Sequence, residues 1–301
     1  MSPTATMTAK LLFTLILIAA VGTFAFLMYR RIKVLFAAQP VNRFDRIGER
    51  IKGVLIYFLG QKRILDPKHL GAGIMHALIF WGFVAVSLNT IHLIVRVYIP
   101  GFHLPLFGPD DILGAPYIFL RDVFEILVIA MILVAAFRRA VLKPERITLS
   151  WDAALILTLI GLLMVTDFIL NGTLVATGEE TGEAYSFAAA IFGSLFAGMG
   201  LSPGALATLH KVAWWVHMID LLFFLAYLPV SKHFHVVTSA FNVYFRNLEN
   251  STLPYMDLEA DDIENFGASQ IEHLDWKDLL DVYTCTECGR CQDACPAYAT
   301  E

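Results

Sequence analysis

The sequence predicts an all-α membrane protein, in which five helices cross the bilayer as a bundle and the start of a small cytoplasmic domain follows. Three observations support this prediction. Of the 301 residues, 57% are hydrophobic and 16% are charged, against about 25% charged in a typical soluble domain. Five apolar stretches are long enough to span a membrane. All four cysteines fall between residues 285 and 295, which is typical of a small metal-binding unit rather than a disulfide framework.

The apolar stretches give the five crossings. A hydrocarbon core of about 30 Å requires roughly 20 mostly apolar residues in a helix. The stretches lie near residues 11–29, 72–99, 118–137, 151–171 and 206–230. A further apolar run from Ala184 to Met199 is shorter, contains glycine and follows Glu179, Glu180 and Glu183. We expect this run to form an interfacial or re-entrant helix, which keeps the number of crossings at five.

Basic residues indicate the orientation in the membrane. Lysine and arginine are abundant between the first and second spans, and between the third and fourth spans they are Arg138, Arg139, Lys143 and Arg146. Residues 100–116 and 172–204 contain neither type. Because positive loops stay in the cytoplasm, we expect an outside N-terminus, a cytoplasmic C-terminus and a multi-pass location in the cell inner membrane. The net charge of −5 and the lack of a basic, aromatic-interleaved patch argue against nucleic acid as a partner.

Histidines inside the spans are the main candidates for a functional role. Ionisable side chains are costly in a membrane and usually serve a function there, and neutral imidazole is a ligand of haem iron. The second span contains His76 and His92, and the fifth contains His210 and His217, with His235 at its cytoplasmic end. These histidines are therefore candidate axial ligands of haem b.

Helical spacing predicts how the histidines pair. From His76 to His92 a helix rises about 24 Å, and from His217 to His235 it rises about 27 Å if it is continuous. Two antiparallel spans can then form an inner pair, His76 with His235, and an outer pair, His92 with His217. His210 faces the same way as His217 because a helix drifts only about 20° per heptad, so either can be the outer ligand. Packing histidines that donate to backbone carbonyls are the alternative.

Charged residues at the start of the third span allow two interpretations. Arg121 and Glu125 have the i, i+4 spacing of a helical ion pair, and Asp122 lies between them. A simple ion pair or interfacial anchor is one interpretation. A quinone or proton site that also includes Asp220 of the fifth span is the other, since intramembrane charges are often functional.

The cysteines carry the most specific motif. Cys285, Cys288, Cys291 and Cys295 form the pattern C-x2-C-x2-C-x3-C, followed by a proline. This spacing is typical of [4Fe–4S] ferredoxins, whose fourth cysteine binds the other of two clusters. Structural zinc sites instead generally use two separated pairs. Because few residues follow Cys295, we expect the natural protein to continue or a partner subunit to complete the clusters.

Composition divides the chain after about residue 236, where apolar runs give way to acidic and polar sequence. We expect a transmembrane domain at residues 1–236 and a cytoplasmic linker at residues 237–280. Residues 281–301 are expected to begin a ferredoxin-like domain that is truncated in this chain.

The fifth span resembles a known cytochrome. The sequence WWVHMIDLLFFLAYLPVSKHFHVVTSAFNVYFRN, from Trp214 to Asn247, is similar to the last helix of the cytochrome b (gamma) subunit of respiratory nitrate reductase. In that family a proline and a basic residue separate two haem-ligating histidines, and His217 and His235 occupy those places. The second span, with His76 before Trp81-Gly82-Phe83, resembles the family's first ligating helix. In that family a second ligand lies ten residues after the first, but this chain has Val86 at that position, and His92 is the available substitute.

The tail resembles a second family. The segment from Phe266 to Ala297, FGASQIEHLDWKDLLDVYTCTECGRCQDACPA, is similar to heterodisulfide-reductase-like iron–sulfur proteins, which join such a membrane domain to ferredoxin and CCG-type modules. The resemblance implies a membrane oxidoreductase component with one or two haems b and [4Fe–4S] clusters. It also implies electron exchange between menaquinone and a cytoplasmic donor, such as an electron-transfer flavoprotein or an iron–sulfur subunit.

Two other functions compete with this expectation. The first is a haem-free anchor that only tethers an iron–sulfur partner to the membrane. The second is a transporter that uses Asp220, Asp167 and Arg121 as a proton relay, although the histidine pairs and the cysteine motif then have no purpose.

Overall fold

A computed structural model describes residues 2–145, 147, 149–178, 185–249 and 268–300. Several features singled out in the sequence lie outside this part: Arg146 of the positive loop, the acidic residues Glu179, Glu180 and Glu183, and residues 250–267 of the expected linker.

The described residues form helices, together with one isolated bridge between Gln39 and Asp275. The α-helices are α1 (Met7–Leu35), α2 (Ile47–Gly53), α3 (Leu70–Arg96), α4 (Gly114–Phe137), α5 (Trp151–Ala176), α6 (Phe187–Gly198), α7 (Pro203–Tyr227), α8 (His235–Tyr244), α9 (Trp276–Thr284) and α10 (Arg290–Asp293). The chain is thus mostly helical, as the sequence predicts.

Four helical segments in the described part of the chain are long and apolar enough to cross a membrane. They are Met7–Leu35, Pro67–Arg96, Trp151–Ala176 and Pro203–Val230. The third predicted span forms a single apolar helix, α4, but it has three charged residues near its start, Arg121, Asp122 and Glu125, and is not among these four. The fifth crossing therefore stays a prediction.

The short apolar run forms α6, which packs closely against α5. Its 12 residues rise about 18 Å, too little to cross the hydrocarbon core. Two glycines allow the close approach, because any larger residue at either position would clash. A Cβ at Gly172 would lie 2.5 Å from Cβ of Phe192, and a Cβ at Gly193 would lie 2.6 Å from Cγ1 of Val175. The expectation of a short helix here is confirmed.

The chain is not helical throughout between His217 and His235, so the estimated rise of about 27 Å is wrong. α7 ends at Tyr227, short 3₁₀ turns follow, and Ser231 is extended with φ −102° and ψ 166°. Pro229 lies in the first of these turns. Proline lacks an N–H and clashes with the preceding helical turn, so it favours a helix end at this place. His235 instead begins the separate helix α8.

The chain forms two compact units. The first comprises Met1–Gly22, Pro67–Glu145 and Leu149–Ala226. Its core has two clusters of buried apolar residues. One contains Phe13, Leu170, Trp214, Met218 and Leu222, and the other contains Val86, Val128, Ile132 and Met164.

The second unit comprises Thr23–Asp66, Arg146–Thr148 and Tyr227–Glu301. Its centre is the buried Arg50, which donates to the carbonyls of Asp45, Tyr244 and Arg246. The guanidinium also pairs with the carboxylate of Asp45 at 2.6 Å. One side chain thereby ties the start of α2 to the carbonyls at the C-terminal end of α8.

Candidate functional site

Two of the candidate histidines face α5 from α7, in the first unit. His217 Nδ1 lies 2.9 Å from Thr166 Oγ1, and His210 Nδ1 lies 2.9 Å from Thr173 Oγ1. Both histidines are buried. The seven-residue spacing of the histidines on α7 matches the seven-residue spacing of the threonines on antiparallel α5. The structure thus anchors both histidines to α5 through the same type of contact.

The threonine contacts indicate which nitrogen of each imidazole carries the proton. The hydroxyl of Thr166 donates to the Leu162 carbonyl at 2.7 Å, and that of Thr173 donates to the Leu170 carbonyl at 2.8 Å. Since a hydroxyl has one hydrogen, a threonine that donates it to the carbonyl accepts from the imidazole, and this arrangement favours a proton on Nδ1. Metal-binding histidines commonly have one nitrogen anchored in this way while the other faces the metal.

His235 has the same arrangement in the second unit. Its Nδ1 lies 2.8 Å from the carbonyl of Lys232, and a carbonyl can only accept, so the proton again lies on Nδ1. Burial lowers the pKa of His235, although the hydrogen bond to Lys232 partly opposes this effect. The neutral imidazole, which is the form that ligates a metal, is therefore favoured.

His92 differs from these three histidines. Its Nε2 accepts a hydrogen bond of 2.9 Å from the backbone N–H of Leu104. Its ring lies among those of Phe102, His103 and Tyr117. Its lone pair is therefore occupied by the loop after α3. No sequence pattern points to this contact, because the donor is a backbone group.

His76 lies on α3 in the first unit, whereas His235 belongs to the second unit. Their pairing around one iron stays a prediction, as does the pairing of His92 with His217. Val86, the position at which the resemblance implies a ligand, packs in the apolar core.

The cysteine motif lies on the loop that follows α9. Cys285 directly follows the last residue of that helix. Glu287 and Gly289 have positive φ values of 53° and 73°, which turn the chain sharply. Cys291 lies on the short helix α10. The cysteines are thiols rather than disulfides, and Cys295 is the least exposed of them.

Side chains around the motif attach the loop to the rest of the second unit. Glu287 forms an ion pair of 2.6 Å with Lys232, the residue whose carbonyl binds His235. Arg290 donates to the carbonyls of Arg63 and Ile64. The four thiols fit an iron–sulfur cluster chemically, but within the described residues no three His, Cys, Asp or Glu side chains converge as a metal site.

A buried polar cluster occupies the first unit. Arg121 of α4 contacts Asp122 at 3.2 Å, Glu125 at 3.4 Å and Asp167 of α5 at 4.0 Å. Asp167 also accepts hydrogen bonds from the amides of two asparagines, Asn89 and Asn171. All four charged residues were candidates from the sequence, and the structure brings them together.

Three polar side chains that were not predicted from the sequence, Asn89, Asn171 and Ser186, form hydrogen bonds with the cluster. Asp122 accepts from the Ser186 hydroxyl at 2.6 Å and from the Ala188 N–H at 2.9 Å, so it binds the N-terminus of α6. Asn89 and Asn171 could have been found as polar residues within apolar spans. Among the described residues, no hydrogen-bond partner lies beside either carboxyl oxygen of the buried Asp220.

Residues 276–297 match the model of the 4Fe-4S binding domain family. The matched segment begins at the first residue of α9 and includes all four cysteines. The C-terminal part of the chain is therefore an iron–sulfur binding domain.

Two curated relatives extend over nearly the whole chain. One is "Probable iron-sulfur-binding oxidoreductase FadF" of Bacillus subtilis, which is 33% identical over 96% of this chain and 40% of its own length. The other is "EtfAB:quinone oxidoreductase" of Syntrophomonas wolfei, which is 33% identical over 95% of this chain and 40% of its own length. The chain thus spans 40% of the length of these relatives. No solved structure matches it. The relatives support an oxidoreductase-type role in iron–sulfur electron transfer.

Proposed function

We propose that this chain is the membrane-embedded electron-transfer part of a quinone-linked oxidoreductase. It passes electrons between cytoplasmic iron–sulfur clusters and the quinone pool through b-type haem. The observation that carries this proposal is the shared arrangement of His210, His217 and His235. Each imidazole is anchored at Nδ1 by a protein oxygen, and packing alone does not require three intramembrane or juxtamembrane histidines to share this feature.

The donor chemistry of these residues fits haem. Neutral imidazoles with a protonated Nδ1 present Nε2 as the ligating atom, and the accepting oxygen raises the basicity of the ligand. His217 or His210 is the proposed ligand of one haem and His235 of another, with His76 and His92 as the candidate partners on α3. A bound haem supplies one-electron transfer, and the protein sets its potential through ligands and burial.

The threonine contacts do not favour either of the two histidines of α7 as the ligand. Both are buried, both are anchored by a threonine of α5, and both distances are 2.9 Å. His92 is a weaker candidate because Leu104 occupies its Nε2. A haem ligated by His92 requires the loop after α3 to give up this hydrogen bond.

Cys285, Cys288, Cys291 and Cys295 are the proposed ligands of the iron–sulfur clusters. The left-handed residues Glu287 and Gly289 let the loop curl tightly, which short spacings between thiolate ligands require. A bound cluster supplies a one-electron carrier on the cytoplasmic side. The ion pair from Glu287 to Lys232 holds this loop next to the residue that anchors His235, which gives a compact arrangement for electron transfer.

The proposed partners follow from the membrane spans and the relatives. The Syntrophomonas wolfei relative is named for an electron-transfer flavoprotein and quinone, so we propose a cytoplasmic donor of this kind and a quinone, menaquinone by the resemblance of the sequence. The proposed orientation has the N-terminus outside and the cysteines in the cytoplasm, where thiols remain reduced.

The proposal is tested by measuring haem and iron per chain together with the dithionite-reduced spectrum of the purified protein. We expect a b-type absorption band and bound iron–sulfur. His235→Ala and the double variant His210→Ala/His217→Ala should each remove part of that band. His273→Ala, which alters an exposed histidine of the second unit, is the matched control and should not change it. A wild-type protein that holds iron–sulfur but shows no b-type band is instead a haem-free anchor.

A further inference from the structure

The polar cluster of the first unit contains more acid than base. One guanidinium, that of Arg121, faces the carboxyls of Asp122, Glu125 and Asp167. All four side chains are 2% exposed or less. If every carboxyl were ionised, the cluster would have a net charge of −2 away from water, which is strongly unfavourable.

Two of the three carboxyls are well compensated by hydrogen bonds. Asp122 accepts from Arg121, from the Ser186 hydroxyl and from the Ala188 N–H at the start of α6, where a helix N-terminus favours negative charge. Asp167 accepts from two asparagine amides, one on each carboxyl oxygen. Such donors stabilise a carboxylate.

Glu125 is different. Its side chain is 0% exposed, and neither carboxyl oxygen accepts a hydrogen bond from a described residue. Its closest cationic contact is Arg121 Nε at 3.4 Å, and this cation is shared with the two aspartates. Three further titratable side chains face the cluster. The Tyr117 hydroxyl donates to the Ala85 carbonyl. His92 interacts electrostatically with Arg121, but its ring forms its hydrogen bond with Leu104. His217 interacts electrostatically with Asp167, but its ring forms its hydrogen bond with Thr166. The proton that the cluster needs is therefore best placed on Glu125.

We propose that Arg121, Asp122, Glu125 and Asp167 form a proton-binding site inside the membrane-embedded unit, in which Glu125 holds an exchangeable proton at neutral pH. When the O–H bond of Glu125 breaks, the proton passes to solvent water and Arg121 stabilises the carboxylate that remains. Asp167 directly follows Thr166, the residue that anchors His217, so the site lies beside the histidine face of α7. The proton site does not depend on whether haem binds there.

Infrared spectroscopy of the full protein tests this proposal. We expect a carbonyl stretching band of a protonated carboxylic acid near neutral pH, which shifts in D₂O and is lost in Glu125→Gln. The control Glu49→Gln, at an exposed position of the second unit, should retain the band. Absence of the band from the wild type, its retention in Glu125→Gln, or no shift after prolonged exposure to D₂O would each overturn the proposal.

The thermal stabilities of two variants give a second test that does not depend on the infrared band. Glutamine is a close mimic of a neutral glutamic acid, whereas asparagine cannot replace a carboxylate that accepts three hydrogen bonds. Glu125→Gln should therefore leave the thermal unfolding temperature in detergent nearly unchanged, and Asp122→Asn should lower it clearly. If Glu125→Gln destabilises as much as Asp122→Asn, then Glu125 is ionised and the proposal fails.

Discussion

Two threonines of α5 allow a matched test of which α7 histidine ligates iron. Thr166 anchors His217 and Thr173 anchors His210, at the same distance of 2.9 Å. Replacing either threonine by valine keeps the shape and the β-branching but removes the oxygen that accepts from Nδ1. Neither substitution alters a proposed ligand itself. The two variants therefore differ only in which imidazole loses its anchor.

The expected effect is worked from the lost hydrogen bond. Removing a partner that orients a metal-binding histidine typically costs 10–100-fold in affinity, or about 1.4–2.7 kcal/mol. The accepting oxygen also makes the imidazole a stronger electron donor, which favours oxidised iron. Its loss should raise the midpoint potential, by about 60 mV if the two oxidation states differ by 1.4 kcal/mol.

The assay is a potentiometric titration of the purified variants, followed through the b-type absorption band, with haem content per chain measured in parallel. If His217 is the ligand, Thr166→Val should raise one midpoint potential and lower haem retention, and Thr173→Val should behave as the wild type. If His210 is the ligand, the effects are exchanged. If both ligate, each variant should change a different haem.

A different result would contradict this expectation: the wild type shows a b-type band, and neither valine variant differs from it in midpoint potential or in haem content per chain. That result would mean that the threonine contacts only position packing histidines. It would also direct attention to the histidines of α3 as the ligands of the first unit.

Further predictions concern the α6 contact, acid stability and the cluster loop. Asp122→Asn should destabilise the first unit by about 3 kcal/mol, because charged hydrogen bonds to Arg121 and to the N-terminus of α6 are weakened. Thermal unfolding in detergent measures this loss of stability, and a loss under about 1 kcal/mol contradicts the prediction. The hydrogen bond from Arg50 lowers the pKa of Asp45. This contact therefore stabilises the second unit above the unfolded pKa of about 4, and the stabilisation is lost as pH falls through the folded pKa. Asp45→Asn should reduce the drop in unfolding temperature on acidification, and an unchanged drop counts against this prediction. Cys291→Ala should lower bound iron and the electron paramagnetic resonance signal of the reduced cluster, whereas Thr286→Ala in the same loop should not; equal signals in both variants would exclude Cys291 as a ligand.

The sequence determined the helical class, the approximate positions of the long apolar helices and the iron–sulfur domain. Long uninterrupted apolar stretches favour helices, because a helix satisfies its own backbone hydrogen bonds in apolar surroundings. The spans expected at residues 118–137 and 151–171 correspond to helices Gly114–Phe137 and Trp151–Ala176. The cysteine motif is equally local, because its chemistry depends on spacing within eleven consecutive residues, from Cys285 to Cys295.

The sequence could not show where α7 ends relative to His235. The distance estimate assumed one continuous helix, but Pro229 and the extended Ser231 interrupt it. A proline indicates that an end is close, yet its exact position depends on the 3₁₀ turns that the surrounding packing permits. Predictions about the inner pair of histidines therefore cannot be made from helical rise alone.

The tertiary structure also decided which polar groups meet. The motif of Arg121, Asp122 and Glu125 suggested an ion pair within one helix, but only the packing of α4 against α5 adds Asp167 as a third carboxyl around the single guanidinium. In the same way, the backbone N–H of Leu104 reaches His92 without any signature in the sequence. Sequence periodicity specifies which face of a helix is polar, whereas the partner across that face is set by contacts between residues far apart in the chain.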